Sequence, residues 1–280
     1  STFLISIIFY YLIFKYKLYP KIFLDLPDKI RKKHTSPVPK LGVIFLIPFF
    51  VLFDYSNLNF EHTFHLYIFC LIFIIIGIID DIFSNKWSMR LFYETVFILS
   101  YLLLNKDLLL TELNFNELHL KNLIYENFYL SLFFTTFCFI AIVNALNFYD
   151  GINNQLSNYL IILFLFFFIE TSNYLFLILI IALLIFSIFN FQNKVFFGSA
   201  SIYLIAFLIF NFSIFYHNKN IIEPEAILIM LLYPGADLIR LFFFRIINKK
   251  SPFKGDRNHI HHLLGLKYNK IKIVWLNNFP

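Results

Sequence analysis

The chain is dominated by unbroken runs of apolar residues, and this feature limits what it can fold into more than any other. The runs do not alternate with a period of two, so they predict helices rather than the strands of a membrane barrel. A helix that crosses a bilayer needs roughly 20 apolar residues, with a range of about 17 to 25. The runs lie near residues 2–19, 41–53, 64–79, 91–104, 128–148, 157–169, 174–191, 201–216 and 225–247.

These nine runs, and a tenth that begins with IKIVWLNNFP at the C-terminus, predict an all-α polytopic membrane bundle of nine to ten transmembrane helices. The composition agrees, because 60% of the 280 residues are hydrophobic and only 14% are charged. Soluble domains have about 45–50% apolar and about 25% charged residues. A soluble domain is therefore excluded, and residues 1–280 are expected to form a single transmembrane domain.

The basic residues predict the orientation of the bundle, because short loops rich in Lys and Arg stay on the cytoplasmic side. With the N-terminus outside, 20 of the 23 Lys and Arg residues fall on the cytoplasmic side, and only Lys106, Lys121 and Lys219 fall on the other. The formal net charge of +6 is thus a signal of sidedness. The basic residues are divided among loops, so no nucleic-acid partner is expected.

Two adjacent acids, Asp80 and Asp81, directly follow the third apolar run. Carboxylates at the end of a span are costly to desolvate unless they are paired, hydrated or bound to a metal. They are therefore candidates for a functional site. Solvated acids that simply mark the end of the span are the alternative.

The segment NALNFYDGINN, at the end of the fifth run, carries a second polar cluster. Its side chains recur at spacings of three and four, which predicts a polar stripe on one face of a helix. Gly151 would allow the chain to turn after this helix. A helix C-terminus decorated with amides is the alternative. The stripe consists of Asn144, Asn147, Asp150, Asn153 and Asn154.

Titratable side chains are concentrated near the C-terminus, in KKSPFKGDRNHIHHLL. The His-x-His-His spacing suits a tetrahedral zinc site poorly, and neither cysteine is near. Phosphate recognition fits better, because a guanidinium offers a planar fork to phosphate oxygens and imidazoles can donate to them. A solvated basic loop is the alternative. The residues concerned are Arg257, His259, His261 and His262.

A basic arm at residues 20–40 belongs to the same predicted surface, and its prolines predict a stiff, non-helical segment. Basic loops also hold spans inward and attract the anionic headgroups of membrane lipids. Together with acids at helix ends, however, the arm suits a divalent cation and a diphosphate, whose remaining charge the basic side chains would neutralise. The basic residues of its stretch DLPDKIRKKHTSPVPKLG are Lys29, Arg31, Lys32, Lys33, His34 and Lys40.

Taken in order, these motifs resemble those of the polyprenyl-phosphate N-acetylhexosamine-1-phosphate transferases, an integral membrane superfamily that also contains the UDP-MurNAc-pentapeptide phosphotransferase. The matching stretches cover nearly the whole chain and are highly specific as an ordered set. They are DLPDKIRKKHTSPVPKLG, GIIDDIF, NALNFYDGI, KVFFG, a P-x-x-D-x-x-x-x-x-x-x-R pattern from Pro234 through Asp237 to Arg245, and SPF-x-x-DRNHIHHLL.

The resemblance implies transfer of an N-acetylhexosamine 1-phosphate from a UDP-sugar to polyprenyl (undecaprenyl) phosphate with release of UMP. This step would initiate cell-envelope glycan or O-antigen synthesis at the cytoplasmic face of the bacterial inner membrane. The implied cofactor is Mg²⁺, with Mn²⁺ as the alternative. The implied partners are UDP-N-acetylhexosamine, polyprenyl phosphate and membrane lipids. The resemblance also implies that the chain lacks the last one or two spans of the family, and it leaves a homodimer open.

Residue by residue, the resemblance implies catalytic and metal-binding roles for Asp80, Asp81 and Asp150, with Ser199 at the position of a further metal ligand. The HIHH-type loop looks like that of the N-acetylglucosamine branch, which favours a UDP-N-acetylhexosamine donor. The resemblance implies substrate contacts for Lys33, His34, Asn144, Asn147, Arg257, His259, His261 and His262.

Two substitutions depart from the family pattern. Ser199 stands where members carry an Asp, and Asn153 replaces the second acid of their D-G-x-D-G element. Loss of two carboxylates weakens a site for a hard cation. A catalytically inactive homologue that binds lipid phosphate or nucleotide sugar is therefore an alternative. A transporter is a weaker one, because the acids cluster at one face and no inverted repeat is evident.

Overall fold

The computed structural model describes residues 10–27, 36–47, 63–83, 86–113 and 127–249, together with Ile260 and Val274. Seven long α-helices dominate this part of the chain. Residues 10–15 are also helical, and 3₁₀ helices cover Lys21–Phe23, Gly42–Leu46 and Lys106–Leu108. The seven helices are α1 (Thr63–Phe83), α2 (Trp87–Leu104), α3 (Phe128–Tyr149), α4 (Gln155–Thr171), α5 (Leu175–Phe191), α6 (Gly198–Asn218) and α7 (Pro224–Ile247).

Each of the seven α-helices coincides with a predicted apolar run, so the prediction of helices at the seven runs between residues 64 and 247 is confirmed. Four of these helices, α1, α3, α6 and α7, are long and apolar enough to cross a membrane, while α4 and α5 are apolar but shorter. The total of nine to ten spans and the orientation stay predictions. The runs near 2–19 and 41–53 lie partly outside the described residues.

Helix α6 forms the centre of the bundle and is buried along nearly its whole length. A helix that is apolar all round is expected in a core, and α6 packs against both α1 and α3. The backbones of α1 and α6 approach closely at Gly77, where an added Cβ would overlap the backbone of Ala200. By contrast, α1 and α7 carry large exposed apolar side chains such as Leu71, Ile75 and Ile229, as a lipid-facing surface requires.

A short antiparallel strand pair lies at the base of the basic arm. Strand β1 (Leu24–Asp25) pairs with β2 (Val38–Pro39), with Asp25 opposite Val38. A 3₁₀ turn over Lys21–Phe23 precedes β1. The prediction of a non-helical arm is therefore confirmed for the strands and wrong for this one turn.

Backbone hydrogen bonds fix the arm to the segment that leads into α6. Lys40, which follows β2, forms a parallel bridge with Phe196. The Phe196 N–H donates to Pro39 O (2.9 Å), and the Gly42 N–H donates to Phe196 O (3.0 Å). Strand β2, Lys40 and the first turn of α6 consequently hold a fixed relative position.

Candidate functional site

The predicted acid pair lies at the junction of two helices. Asp80 and Asp81 occupy the last turn of α1 and face the first turn of α6. Ser199 Oγ donates to Asp80 Oδ2 (2.9 Å), and the Ala200 N–H donates to Asp81 Oδ2 (3.2 Å). The first N–H groups of a helix lack partners within the helix and attract negative charge. The N-terminus of α6 therefore orients both carboxylates.

A separate cation accompanies each of these acids. Arg90, in the first turn of α2, places Nη1 3.6 Å from Asp80 Oδ2. Lys40, from the arm, places Nζ 3.7 Å from Asp81 Oδ1. Each carboxylate is thus paired with a basic side chain, although little of either acid is exposed.

Asp150 caps the C-terminus of α3 and approaches the same cluster. The pKa of the Asp150 carboxyl is raised to about 7, mainly by burial and to a smaller extent by the negative charge of Asp81. Two carboxyl groups that repel each other favour the binding of a cation between them. Asp81 and Asp150 are therefore the pair of acids in this cluster that best suits a bound cation.

The residues present fit a magnesium ion in part. Mg²⁺ prefers oxygen ligands and often takes one or two carboxylates, with waters and substrate phosphates completing its shell. The mutually repelling pair of Asp81 and Asp150 meets that requirement. Within the described ranges, however, no three His, Cys, Asp or Glu side chains gather closely enough to hold a metal on their own. Asp80 and Ser199 form a hydrogen bond with each other instead of leaving both oxygens open to a metal. The predicted metal site of Asp80, Asp81, Asp150 and Ser199 therefore stays a prediction.

A second polar layer lies one helical turn deeper in the bundle. Glu94 follows Arg90 by four residues on α2 and is only 3% exposed. Asn144 of α3 donates a long hydrogen bond from Nδ2 to Glu94 Oε2 (3.4 Å), and Tyr203 of α6 lies beside the same carboxylate. Asn144, predicted to contact substrate, is thus engaged by Glu94, and three helices meet at this layer.

The predicted polar stripe divides where α3 ends. Asn153 and Asn154 lie beyond α3, in the turn before α4. Asn153 Nδ2 donates to Asn190 O (2.6 Å), and the Asn154 N–H donates to Asn190 Oδ1 (2.7 Å). These two residues fix the turn to the end of α5, so the prediction that all five polar residues share one helical face is wrong. The residues that keep the helical spacing are Asn144, Asn147 and Asp150.

The histidine loop lies outside the described residues except for Ile260. The Ile260 N–H donates to Asp237 Oδ1 (3.3 Å), and Asp237 is buried on α7 and paired with Arg240 (2.7 Å). Further along, Val274 packs with Ile152, two residues after Asp150. The predicted substrate-binding residues that lie outside the described ranges are Lys33, His34, Arg257, His259, His261 and His262.

The predicted site omitted three charged residues that the structure places in it. Arg90 and Glu94 lie four residues apart at the start of an apolar run, and ionisable residues in such a run are a signal in themselves. Lys40 was recognised only as one of several basic residues of the arm. Its contact with Asp81 depends on the position of the arm, which no local pattern contains.

Comparison with known proteins relates the chain to one family of membrane transferases. A family model described as glycosyl transferase family 4 matches residues 63–217, which include α1 and almost all of α6. The undecaprenyl-phosphate alpha-N-acetylglucosaminyl 1-phosphate transferase of Salmonella typhi is 28% identical over 94% of this chain and 74% of its own length. Proteins of the same name from Escherichia coli K12 and Thermotoga maritima are 27% and 24% identical, over 94% and 90% of this chain and 76% of each relative.

Proposed function

Because the chain belongs to glycosyl transferase family 4, we propose that it transfers N-acetylglucosamine 1-phosphate from UDP-N-acetylglucosamine to undecaprenyl phosphate and releases UMP. The shared name of the relatives supports this choice of substrates. One observation carries the proposal at the level of the site. Asp80, Asp81 and Asp150 come together from two helices at one end of the bundle, with Lys40 and Arg90 beside them.

The chemistry requires placement and charge neutralisation of two phosphate groups more than it requires covalent steps by the protein. Bound Mg²⁺, the cofactor that we propose, would supply positive charge for the diphosphate oxygens, and Asp81 and Asp150 would hold it. Asp80, oriented by Ser199 and Arg90, would accept the proton of the lipid phosphate or orient it. An oxygen of that phosphate would then attack the sugar-linked phosphorus as UMP leaves.

We further propose that the basic arm and the histidine loop bind the nucleotide sugar, with Asn147 at the edge of the site. Guanidinium and imidazole groups suit phosphate oxygens. The excess of basic residues at this end supports a cytoplasmic site in a bacterial inner membrane. The product would begin a cell-envelope glycan. The residues assigned to substrate in this way are Lys33, His34, Arg257, His259, His261 and His262.

A membrane assay with radiolabelled UDP-N-acetylglucosamine and undecaprenyl phosphate tests the proposal. We expect lipid-linked label and UMP, both abolished by chelation of divalent cations. Asp80→Asn should lower turnover by about 100-fold, which is the lower range for loss of a general base. Asp107→Asn, at the other end of the bundle, is the control. Full turnover by Asp80→Asn would contradict the role proposed for Asp80. An inactive wild type would contradict the proposed transferase activity.

A catalytically inactive homologue is the second candidate. The observation in its favour is that Ser199 presents a hydroxyl, already bonded to Asp80, at the position where the family pattern has an acid. Stabilisation of the purified protein by UDP-N-acetylglucosamine, without UMP release, would support this candidate over the active transferase.

A further inference from the structure

We propose that Lys40 is a phosphate-binding residue of this site, held in place by Asp25 until substrate arrives. The inference rests on the proposed function and adds a specific role for one residue of the arm. It is carried by the described contacts of Lys40 with the arm, with the start of α6 and with Asp81.

The backbone gives Lys40 a defined position. Its N–H donates to Phe23 O (2.9 Å) on one side, and it bridges to Phe196 on the other. Gly198 makes room for the side chain, since a Cβ at Gly198 would lie 2.9 Å from Lys40 Cβ and 2.7 Å from Asp81 Oδ2. The backbone φ angle of Gly198 is 73°, a left-handed conformation that favours glycine. Lys40 is therefore not a loosely attached surface lysine.

The ammonium group of Lys40 lies between two acids and binds neither tightly. Its Nζ is 3.3 Å from Asp25 Oδ1 and 3.7 Å from Asp81 Oδ1. Strong hydrogen bonds between an ammonium and a carboxylate are about 2.7–2.9 Å long. The Lys40 side chain is 27% exposed, whereas the side chains of Asp25 and Asp81 are 12% and 4% exposed. The lysine is thus the member of this triad that a ligand from solvent can reach.

A phosphate oxygen is the partner that this arrangement suits. Lysine is a compact charge with three donors on a flexible stem, and it binds phosphate as a point charge. A short movement of Nζ away from the two long contacts would bring it to a phosphate placed beside Asp81. The phosphate has two sources in the proposed reaction, the diphosphate of the nucleotide sugar and the headgroup of the lipid carrier, and both present the same oxygens.

The competing explanation is that Lys40 only fastens the arm through its ion pair with Asp25. Lys40→Met and Asp25→Asn both break that pair, so a fastening role predicts equal damage from the two substitutions. Phosphate binding by Lys40 predicts instead that the two substitutions affect KM differently. Lys40→Met should raise KM about 10- to 100-fold, as expected for loss of a charge-assisted hydrogen bond, while Asp25→Asn should leave KM unchanged or lower.

The experiment measures KM for UDP-N-acetylglucosamine at saturating undecaprenyl phosphate, and then the reverse, in the wild type and in Lys40→Met, Lys40→Arg and Asp25→Asn. The substrate whose KM rises in Lys40→Met identifies the source of the phosphate. Lys40→Arg keeps the charge and should restore most of the affinity. The thermal unfolding midpoint of each purified variant shows whether it is folded.

Two results would overturn the inference: an unchanged KM for both substrates in Lys40→Met, or equal effects of Lys40→Met and Asp25→Asn. An inactive wild type would instead count against the proposed function. In that case, the stabilisation of the protein by UDP-N-acetylglucosamine or by undecaprenyl phosphate remains as a readout. Loss of stabilisation by either ligand in Lys40→Met but not in Asp25→Asn would support the role of Lys40, and its persistence with both would contradict it.

Discussion

Both ends of the helical bundle carry buried polar side chains, but they use them differently. At the acidic end, Asp80 contacts the side chains of Ser199 and Arg90. At the opposite end, where α3 begins, several polar side chains bind backbone groups. Ser131 Oγ donates to Leu110 O (2.7 Å), and Thr135 Oγ1 accepts from the Leu110 N–H (3.0 Å).

The same pattern recurs around the connection that follows α2. Asn105 Nδ2 donates to Tyr101 O (2.7 Å), Asn218 Nδ2 donates to Asp107 O (2.8 Å), and His217 Nε2 lies 3.1 Å from Glu112 O. Backbone groups outside helices need partners when they lie in or near a bilayer. We therefore expect polar side chains at this end to stabilise the fold, whereas under the proposed function those at the acidic end hold charge in position for a ligand. Substitutions at the two ends should accordingly affect different properties.

Asp81→Asn should have the largest effect. It removes the carboxylate that contacts Lys40, the N-terminus of α6 and the region of Asp150, so turnover should fall by about 10²- to 10⁴-fold. Steady-state release of UMP measures this. Asp107→Asn, an acid-to-amide change at the opposite end, should change turnover less than about twofold. Equal losses in the two variants would erase the distinction between the ends.

Ser199→Asp should change the dependence on Mg²⁺. The hydroxyl now donates to Asp80 over 2.9 Å, and a carboxylate there would add a like charge within the same distance. We expect about a tenfold loss of turnover at low Mg²⁺ that recovers as the concentration rises, because a cation relieves the repulsion. A gain of turnover in Ser199→Asp at every Mg²⁺ concentration would instead support the second candidate, a catalytically inactive homologue.

Glu94→Gln should have an intermediate effect. The amide keeps the shape of the side chain but removes the charge near Arg90, whose contact with Asp80 should loosen. We expect kcat to fall about tenfold with little change in KM, since loss of one interaction with a charged group is of this size. Glu94→Asp restores the charge and should recover part of kcat. If Glu94→Gln were as active as the wild type, the deeper layer would have no part in the reaction.

Thr135→Val should have the smallest effect on activity and a clear effect on stability. It leaves the Leu110 N–H without its hydroxyl partner, which should lower the free energy of unfolding by about 1–3 kcal/mol. Thermal unfolding in detergent and turnover at low temperature separate the two properties. The matched control is Thr95→Val, because Thr95 Oγ1 donates to the Leu91 carbonyl within its own helix and leaves no bare N–H. A loss of turnover in Thr135→Val at low temperature would contradict the structural role.

The parts of the fold that depend on local pattern could be predicted from the sequence. Continuous apolar runs predicted the positions of the seven helices. The acids at run ends, Asp80, Asp81 and Asp150, were predicted to lie together, and the structure brings them together. The described part of the run near 41–53 is an exception, since Gly42–Leu46 form a 3₁₀ helix. There the Gly42 N–H bonds to the backbone before α6, a tertiary contact that periodicity does not record.

The contacts within the site could not be predicted, because they join residues far apart in sequence. Ser199 and Asp80 are 119 residues apart, and Asn144 and Glu94 are 50 residues apart. The pattern along a helix shows which side chains share a face, but not which helix lies opposite. Asn153 illustrates the same limit. Its position in the motif suggested a lost acid, yet its amide donates to a carbonyl oxygen, which an ionised aspartate could not do.

The close approach of Gly77 to Ala200 has a consequence for how the site is built. Gly77 lies three residues before Asp80 and beside Ala200, which follows Ser199. Main-chain contact therefore sets the distance between the helices at which the Ser199 hydroxyl meets the Asp80 carboxylate. A single methyl group at Gly77 would wedge the two helices apart without altering any charge. The alignment of the acids thus depends on the absence of a side chain at Gly77.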